Sequence, residues 1–374
     1  MKYSLALPIF FLVLLSAAFG DNPDSKFPKS AEVHPDRTVT FRFVAPKATA
    51  LEVLGEIVDG KLSLTKNANG IWEGTVGPVP PGIHEYSFSV DGTNVLDPHN
   101  RWVKGWRRSS NLVEVPGESP LLWEAQAVPH GEVHQLLDHS KMLETERATY
   151  VYTPPGYAES DETFPVLFLL HGSGDDASAW TNVGRAHLIA DNLIAQGKVK
   201  PMVIVMPHGH ANQPGVDPFL IANKDEWSRQ NFEAVSTDFF DRLLPLIQAR
   251  YRIRTDAEGR AVAGLSMGGG QALRFGLNHP DQFAWVAGFS SGIAGDAEKV
   301  QEHFGAMPEN AAFKLVWQGC GKDDFLFDRN VYFHEWMTEK EIPHVWKVTE
   351  GGHSWPVWRD YLIQLLPLLF EGRD

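Results

Sequence analysis

Apolar and polar residues follow two different periods along this chain. From about Arg37 to Val115 they alternate, as in Thr38–Val44, Ala50–Val53, Gly70–Val76 and His84–Val90. Turn pairs separate these runs: Asp59-Gly60, Asn69-Gly70, Pro80-Pro81-Gly82 and Asp91-Gly92. A period of two bounded by Gly, Pro and Asn marks half-buried strands. About seven such strands in about eighty residues predict an immunoglobulin-like β-sandwich. We bound it at residues 30–117, ending at the linker Pro116–Pro120.

From Glu132 onward the pattern changes. Continuous apolar runs at Ala148–Tyr152, Phe164–Leu170, Met202–Met206, Arg260–Ala263, Phe313–Trp317 and Val345–Val348 read as strands. Helical patterns occupy Val183–Gln196, Phe232–Arg250, Gly269–Asn278, Asn330–Lys340 and Trp358–Phe370. Fully apolar strands alternating with helices predict a mostly parallel sheet covered on both faces, placed at 130–372.

The first twenty residues stand apart. Lys2 precedes the apolar run Leu5–Ala17, and Ala18-Phe19-Gly20 offers small residues before Asp21. This predicts a signal peptide over 1–20 and a secreted or periplasmic protein with no membrane contact after cleavage. A net charge of −14 argues against nucleic acid as a partner. Cys320 is the single cysteine, so no internal disulfide forms, and its position after an apolar run predicts a buried, inert thiol.

In an open α/β sheet, ligands bind beyond the C-terminal strand ends. Four segments fall there: Leu170–Gly174, Gly264-Leu265-Ser266-Met267-Gly268, Gly319–Asp324 and Gly351–Trp355. The second is a strand, a sharp turn and a helix with a serine at the apex. The order serine, acid, histidine is that of an α/β-hydrolase triad. Ser266 is then the nucleophile and His353 the base that takes its proton. Asp324 or Asp323 holds the imidazole; loop position alone does not separate them. The amides of Met267 and Ser173 are the expected oxyanion donors. His171 reads as a support for the oxyanion loop, and Asp175-Asp176 as a solvated turn. His208 and His210 lack a third ligand at metal spacing, so neither metal nor cofactor is expected.

These residues resemble the esterase D-like α/β hydrolases, and within them the carbohydrate esterases of family 1, the bacterial feruloyl esterases. The resemblance rests on Tyr152–Tyr157, Leu169–Gly172 with Trp180, Gly184–Ile194, Lys200-Pro201, Asn231-Phe232, Gly264–Gly270, Cys320–Asp324 and Gly351–His353. It implies Asp324 as the acid and Ser173 as an oxyanion donor. Val39–Pro116 resembles the family 48 carbohydrate-binding modules, with Trp72, Trp102 and Trp106 as candidate stacking faces for sugars. The segment Pro207–Arg229 departs from the family in length and composition.

The resemblance implies a feruloyl esterase acting on feruloylated arabinoxylan, with Trp180, Phe219, Trp227, Trp355 and Trp358 as candidate acyl-site aromatics. Alternatives are an acetyl-xylan esterase, an enterochelin-type siderophore esterase, an acyltransferase, or a binding protein with a silent esterase domain. Because the triad lies wholly in the second half, the chemistry is expected to be self-contained there, with the sandwich either holding polymer near the cleft or packing on the hydrolase domain and forming one wall of its pocket. The oligomeric state is left open.

Overall fold

The computed structural model describes residues 28–58, 60–105, 109–118, 120–211, 224–305, 307–308 and 311–371. The expected signal peptide at 1–20 lies outside these residues, as do Trp106 and Phe219.

The alternating half forms ten strands. These are β1 (Glu32–Val33), β2 (Val39–Val44), β3 (Leu51–Leu54), β4 (Lys61–Ser63), β5 (Thr65–Lys66), β6 (Ile71–Val76), β7 (Gly82–Val90), β8 (Thr93–Val95), β9 (Val103–Lys104) and β10 (Ser110–Val115). One sheet runs β1-β2-β6-β5; the other runs β4-β3-β7-β10-β9, with β8 on β7. Every pairing is antiparallel. The period of two places Val39, Phe41, Val53, Trp72, Tyr86, Phe88 and Val113 in one core drawn from both sheets. Tyr86 is fully buried yet satisfied: its hydroxyl donates to Asp97 Oδ2 at 2.9 Å and accepts from Asn100 Nδ2 at 3.0 Å.

The second half builds an eight-stranded sheet in the order β11-β12-β14-β13-β15-β16-β17-β18. Its strands are β11 (Glu132–Ser140), β12 (Thr145–Thr153), β13 (Val166–Leu170), β14 (Val203–Pro207), β15 (Arg260–Leu265), β16 (Trp285–Phe289), β17 (Leu315–Gly321) and β18 (Val345–Thr349). β11 and β12 pair antiparallel, and β12 meets β14 antiparallel; the remaining pairs are parallel. This is the sheet expected of an α/β hydrolase.

Helices α1 (Ala179–Asn182), α2 (Ala186–Ala195) and α8 (Trp355–Leu365) cover one face, where Trp180, Ile189, Leu193, Trp358 and Leu362 are buried. The other face carries α3 (Lys224–Asp238), α4 (Leu244–Arg250), α5 (Met267–Asn278), α6 (Ala297–Phe304) and α7 (Phe327–Glu339), burying Val235, Ile247, Leu273, Phe275, Val300 and Phe333.

The expected strands of this half all form. β11, β16, α1 and α6 are additions. The expected helix Val183–Gln196 begins later, because Gly184 is wedged against Trp180 and Trp355 and Arg185 takes φ 55°. The segment Phe232–Arg250 is not one regular helix: α3 and α4 are joined by a π-helical turn over Phe239–Leu243, just before Pro245, which has no amide to donate to the preceding turn.

The two halves share a core. Ile83 and Leu112 of the sandwich are buried in the same cluster as Trp180, Trp355 and Leu365. Arg359 of α8, also buried, donates to Val183 O at 3.0 Å and to Ile83 O at 3.2 Å. Asn192 of α2 donates to the carbonyls of Leu122 and Glu124 in the connecting segment, at 2.8 and 2.9 Å. Of the two roles open to the sandwich, this continuity is packing on the hydrolase half: removing the sandwich would strip apolar surface from α1, α2 and α8.

Candidate active site

The turn after β15 is sharp and strained. Ser266 stands at φ 53°, ψ −118°, a sparsely populated backbone state for a residue with a side chain. Its neighbours must be small. A Cβ on Gly264 would lie 2.4 Å from Gly268 O, and one on Gly268 would lie 2.5 Å from His171 O. Three backbone bonds hold the strained turn: Ser266 N donates to Phe289 O at 2.8 Å, and Ser266 O accepts from Gly270 N at 3.0 Å and Gly292 N at 2.7 Å. The unforeseen β16 thus supplies one of the anchors.

The loops after β17 and β18 meet this turn. His353 Nε2 is 2.9 Å from Ser266 Oγ, and His353 Nδ1 is 3.0 and 2.9 Å from the two Asp324 carboxylate oxygens. Ser266 Oγ as donor requires Nε2 as acceptor, which leaves the ring proton on Nδ1, facing the carboxylate. Burial alone would raise the Asp324 carboxyl. Hydrogen bonds from His353, Ser290 and the Leu326 amide outweigh it and hold the group below its ordinary value. The Asp324 side chain is sealed from solvent, whereas Asp323 is exposed. The structure therefore brings Ser266, His353 and Asp324 together and leaves Asp323 apart. Cys320, in β17, is buried as expected, and burial pushes its thiol up to about 12.

The segments that carry the two expected oxyanion donors adjoin Ser266. Met267 opens α5, so its amide has no acceptor within the helix. Ser173 and Gly172 line the same cleft, and a Cβ on Gly172 would sit 3.4 Å from Ser266 Cβ. His171 braces this loop: its Nε2 accepts from Gly209 N at 2.8 Å, while Nδ1 faces Gly172 O at 2.8 Å. Burial lowers its pKa, keeping the ring neutral in the Nδ1–H tautomer that both bonds require. His208 and His210 pack against it, each with ring centroids 5.4 Å away. Among the described residues, no three His, Cys, Asp or Glu side chains converge on a point that could hold a metal ion.

A cleft of about 340 Å³ opens over the serine. From the hydrolase half it is lined by Ser173, Asp175, Phe325, His353, Trp355 and Trp358 among others, and from the sandwich by Glu56, Glu85 and Lys104. Trp355 and Trp358 border the cleft but are only 2% and 5% exposed and pack in the same core as Trp180. Trp358 meets the His353 ring edge-on at 4.9 Å and donates to Ser290 Oγ at 3.1 Å. Trp227, on α3, is not among the lining residues.

Four assignments are corrected. Trp180 is 1% exposed and donates its Nε1 to Leu170 O at 3.0 Å, so it is core beneath the cleft. Trp72 is buried in the sandwich core, its Nε1 bonded to Ala45 O at 2.9 Å. Trp102 is packed at the junction of the halves under the Arg185 guanidinium, which lies 4.6 Å from its ring. Trp72 is thus closed to a sugar, and Trp102, half-buried, is tied into the junction. Asp175 is buried and ion-paired to Lys104 at 3.1 Å, so it is no solvated turn. Its neighbour Asp176 caps the chain before α1 by accepting from Ser178 N at 2.8 Å.

Sequence reasoning missed Phe325, which is 76% exposed with its ring 4.5 Å from that of His353. Its place directly after the acid was the available signal. Nothing local marked Glu56, Glu85 or Lys104.

Residues 140–369 match the model of the Esterase family. An endo-1,4-beta-xylanase/feruloyl esterase of Xylanibacter ruminicola is 32% identical over 359 residues, 94% of this chain; the chain spans 47% of that protein's length. The iron(III) enterobactin esterase of Escherichia coli K12 is 24% identical over 74% of this chain and 68% of its own. Among solved structures, a ferulic acid esterase superposes with a TM-score of 0.53 at 30% identity, covering 64% of this chain and 98% of its own. The enterobactin esterase of Shigella flexneri shares the fold over 89% of this chain and 93% of its own, with a TM-score of 0.65 at 19% identity. The chain belongs to the Esterase family of carboxylic ester hydrolases.

Proposed function

We propose that this protein is a secreted serine esterase that releases ferulate or a related hydroxycinnamate from arabinoxylan. The hydrogen-bonded line Asp324–His353–Ser266 at the floor of an aromatic-lined cleft carries the chemical part of this reading. His353 Nε2 takes the Ser266 Oγ proton as Oγ attacks the ester carbonyl. The amides of Ser173 and Met267 hold the negative oxygen of the tetrahedral intermediate. Collapse expels the sugar hydroxyl, protonated by His353, and leaves an acyl-serine. Water then gives its proton to His353 and attacks the acyl carbon; release of the acid restores the serine. Asp324 keeps the imidazole in one tautomer and faces the imidazolium formed in each half-reaction.

Support for the substrate comes from the relative that spans both halves of this chain and from the charge of the cleft. Among the described residues, Lys104 is the one cation of this wall and is engaged by two carboxylates, Glu85 at 2.7 Å and Asp175 at 3.1 Å, while burial and the nearby Glu85 push the Glu56 carboxyl up to about 7. Such a wall suits a neutral sugar ester and disfavours an anionic catecholate. Secretion is supported by residues 1–20, and an immunoglobulin-like module of the family 48 type by the two antiparallel sheets. The test is a panel of methyl ferulate, methyl sinapate, p-nitrophenyl acetate, acetylated xylan and enterobactin. The hydroxycinnamates should give the highest kcat/KM; a maximum for acetylated xylan or enterobactin would overturn the substrate.

A further inference from the structure

One ion pair crosses from the sandwich to the loop beside the nucleophile. Lys104, in β9, places Nζ 3.1 Å from Asp175 Oδ1 and 2.7 Å from Glu85 Oε1. Glu85 is in turn fixed by Ser110, whose Oγ donates to Oε2 at 2.6 Å. The Lys104 side chain is 12% exposed and that of Asp175 5%, so neither charge is left to water. Asp175 closes the turn that carries Ser173: its amide donates to Gly172 O at 3.2 Å. Burial pushes the Asp175 carboxyl up, and Lys104 is the foremost group opposing that. Lys104 itself is held charged by its two carboxylates against the pull of burial.

We propose that Lys104 is a positioning residue of the esterase reaction, supplied across the domain boundary to hold the oxyanion loop and neutralise Asp175. Without Lys104, a buried carboxylate two residues from Ser173 stands unpaired in the region where the tetrahedral oxygen becomes negative. The turn loses its tether, and the transition state meets a like charge in a poorly solvated cleft. The effect falls on kcat rather than on substrate affinity, because that negative charge exists only after attack. This inference rests on Ser173 as an oxyanion donor.

The experiment is steady-state hydrolysis of p-nitrophenyl acetate by the full chain, an ester too small to reach the outer cleft wall. Lys104→Met should lower kcat about 10- to 100-fold, short of the 10²–10³ of losing a donor outright, with KM within about threefold. In an Asp175→Asn background the same change should cost less than about threefold, since no charge remains to neutralise. Lys104→Arg should regain most of the loss. Lys104→Met within twofold of wild type, or an equal loss in both backgrounds, would overturn the proposal. If Lys104→Met alone does not fold, Lys104→Arg and the double variant decide: both folded and active supports the coupling, and an inactive Lys104→Arg overturns it. Ser266→Ala assayed in parallel separates the readings, since activity retained there would sink the site itself rather than this coupling.

Discussion

Trp102 and Asn182 hold each other across the junction of the two halves. The indole Nε1 donates to Asn182 Oδ1 at 2.7 Å, and Asn182 Nδ2 donates to Val103 O at 2.9 Å. A residue expected to stack on sugar is instead a structural bolt between the sandwich and α1. Deleting residues 21–117 should therefore give insoluble protein or lose turnover of methyl ferulate and of arabinoxylan alike. Trp102→Ala should destabilise the fold by roughly 2–4 kcal/mol, from lost packing and an unpaired Asn182 amide. Thermal unfolding of the variant checks this; an unchanged midpoint, or a fully active truncated chain, would contradict it.

Asp324→Asn should cost on the order of 10⁴-fold in kcat, because the amide no longer fixes the His353 tautomer. Asp323→Asn should cost little, since that side chain faces solvent. Parallel kinetics on the two variants suffice, and the reverse ranking would reassign the acid.

Phe325 offers an exposed aromatic face beside the reacting imidazole. Phe325→Ala should raise KM for methyl ferulate about three- to tenfold, the worth of one aromatic contact. KM for p-nitrophenyl acetate should move less. Equal shifts for both esters would remove Phe325 from acyl recognition.

Acid should destabilise the fold before it reaches the carboxylates. Burial and the nearby Arg185 lower His187 from 6.5 to about 4. Between those values the unfolded imidazole binds a proton that the folded one refuses, so stability present above about pH 6.5 is lost as pH falls towards 4. Denaturant titrations across this range should show the decline, and His187→Gln should flatten it. A His187→Gln slope equal to wild type would show that the decline arises elsewhere.

The triad was legible because its three members sit in separate strand-end loops, each with its own glycine-rich flank, and parallel sheets gather such loops at one edge. Asp324 could be told from Asp323 by family resemblance, whereas burial distinguishes them physically. β16 escaped notice because Trp285-Val-Ala-Gly-Phe is short and broken by Gly288. Aromatic side chains misled for a different reason. Composition marks Trp72, Trp102 and Trp180 as adhesive surfaces but does not say whether a protein core or a sugar takes that surface. The cleft wall of Glu56, Glu85 and Lys104 was illegible because it depends on how two domains dock, and no periodicity encodes that.

The central claim is that Ser266 forms the acyl-enzyme. Its direct test is kcat of Ser266→Ala on methyl ferulate, with circular dichroism to verify the fold. We predict a loss of about 10⁴-fold or more with an unchanged spectrum. A folded variant retaining activity within tenfold of wild type would contradict the account.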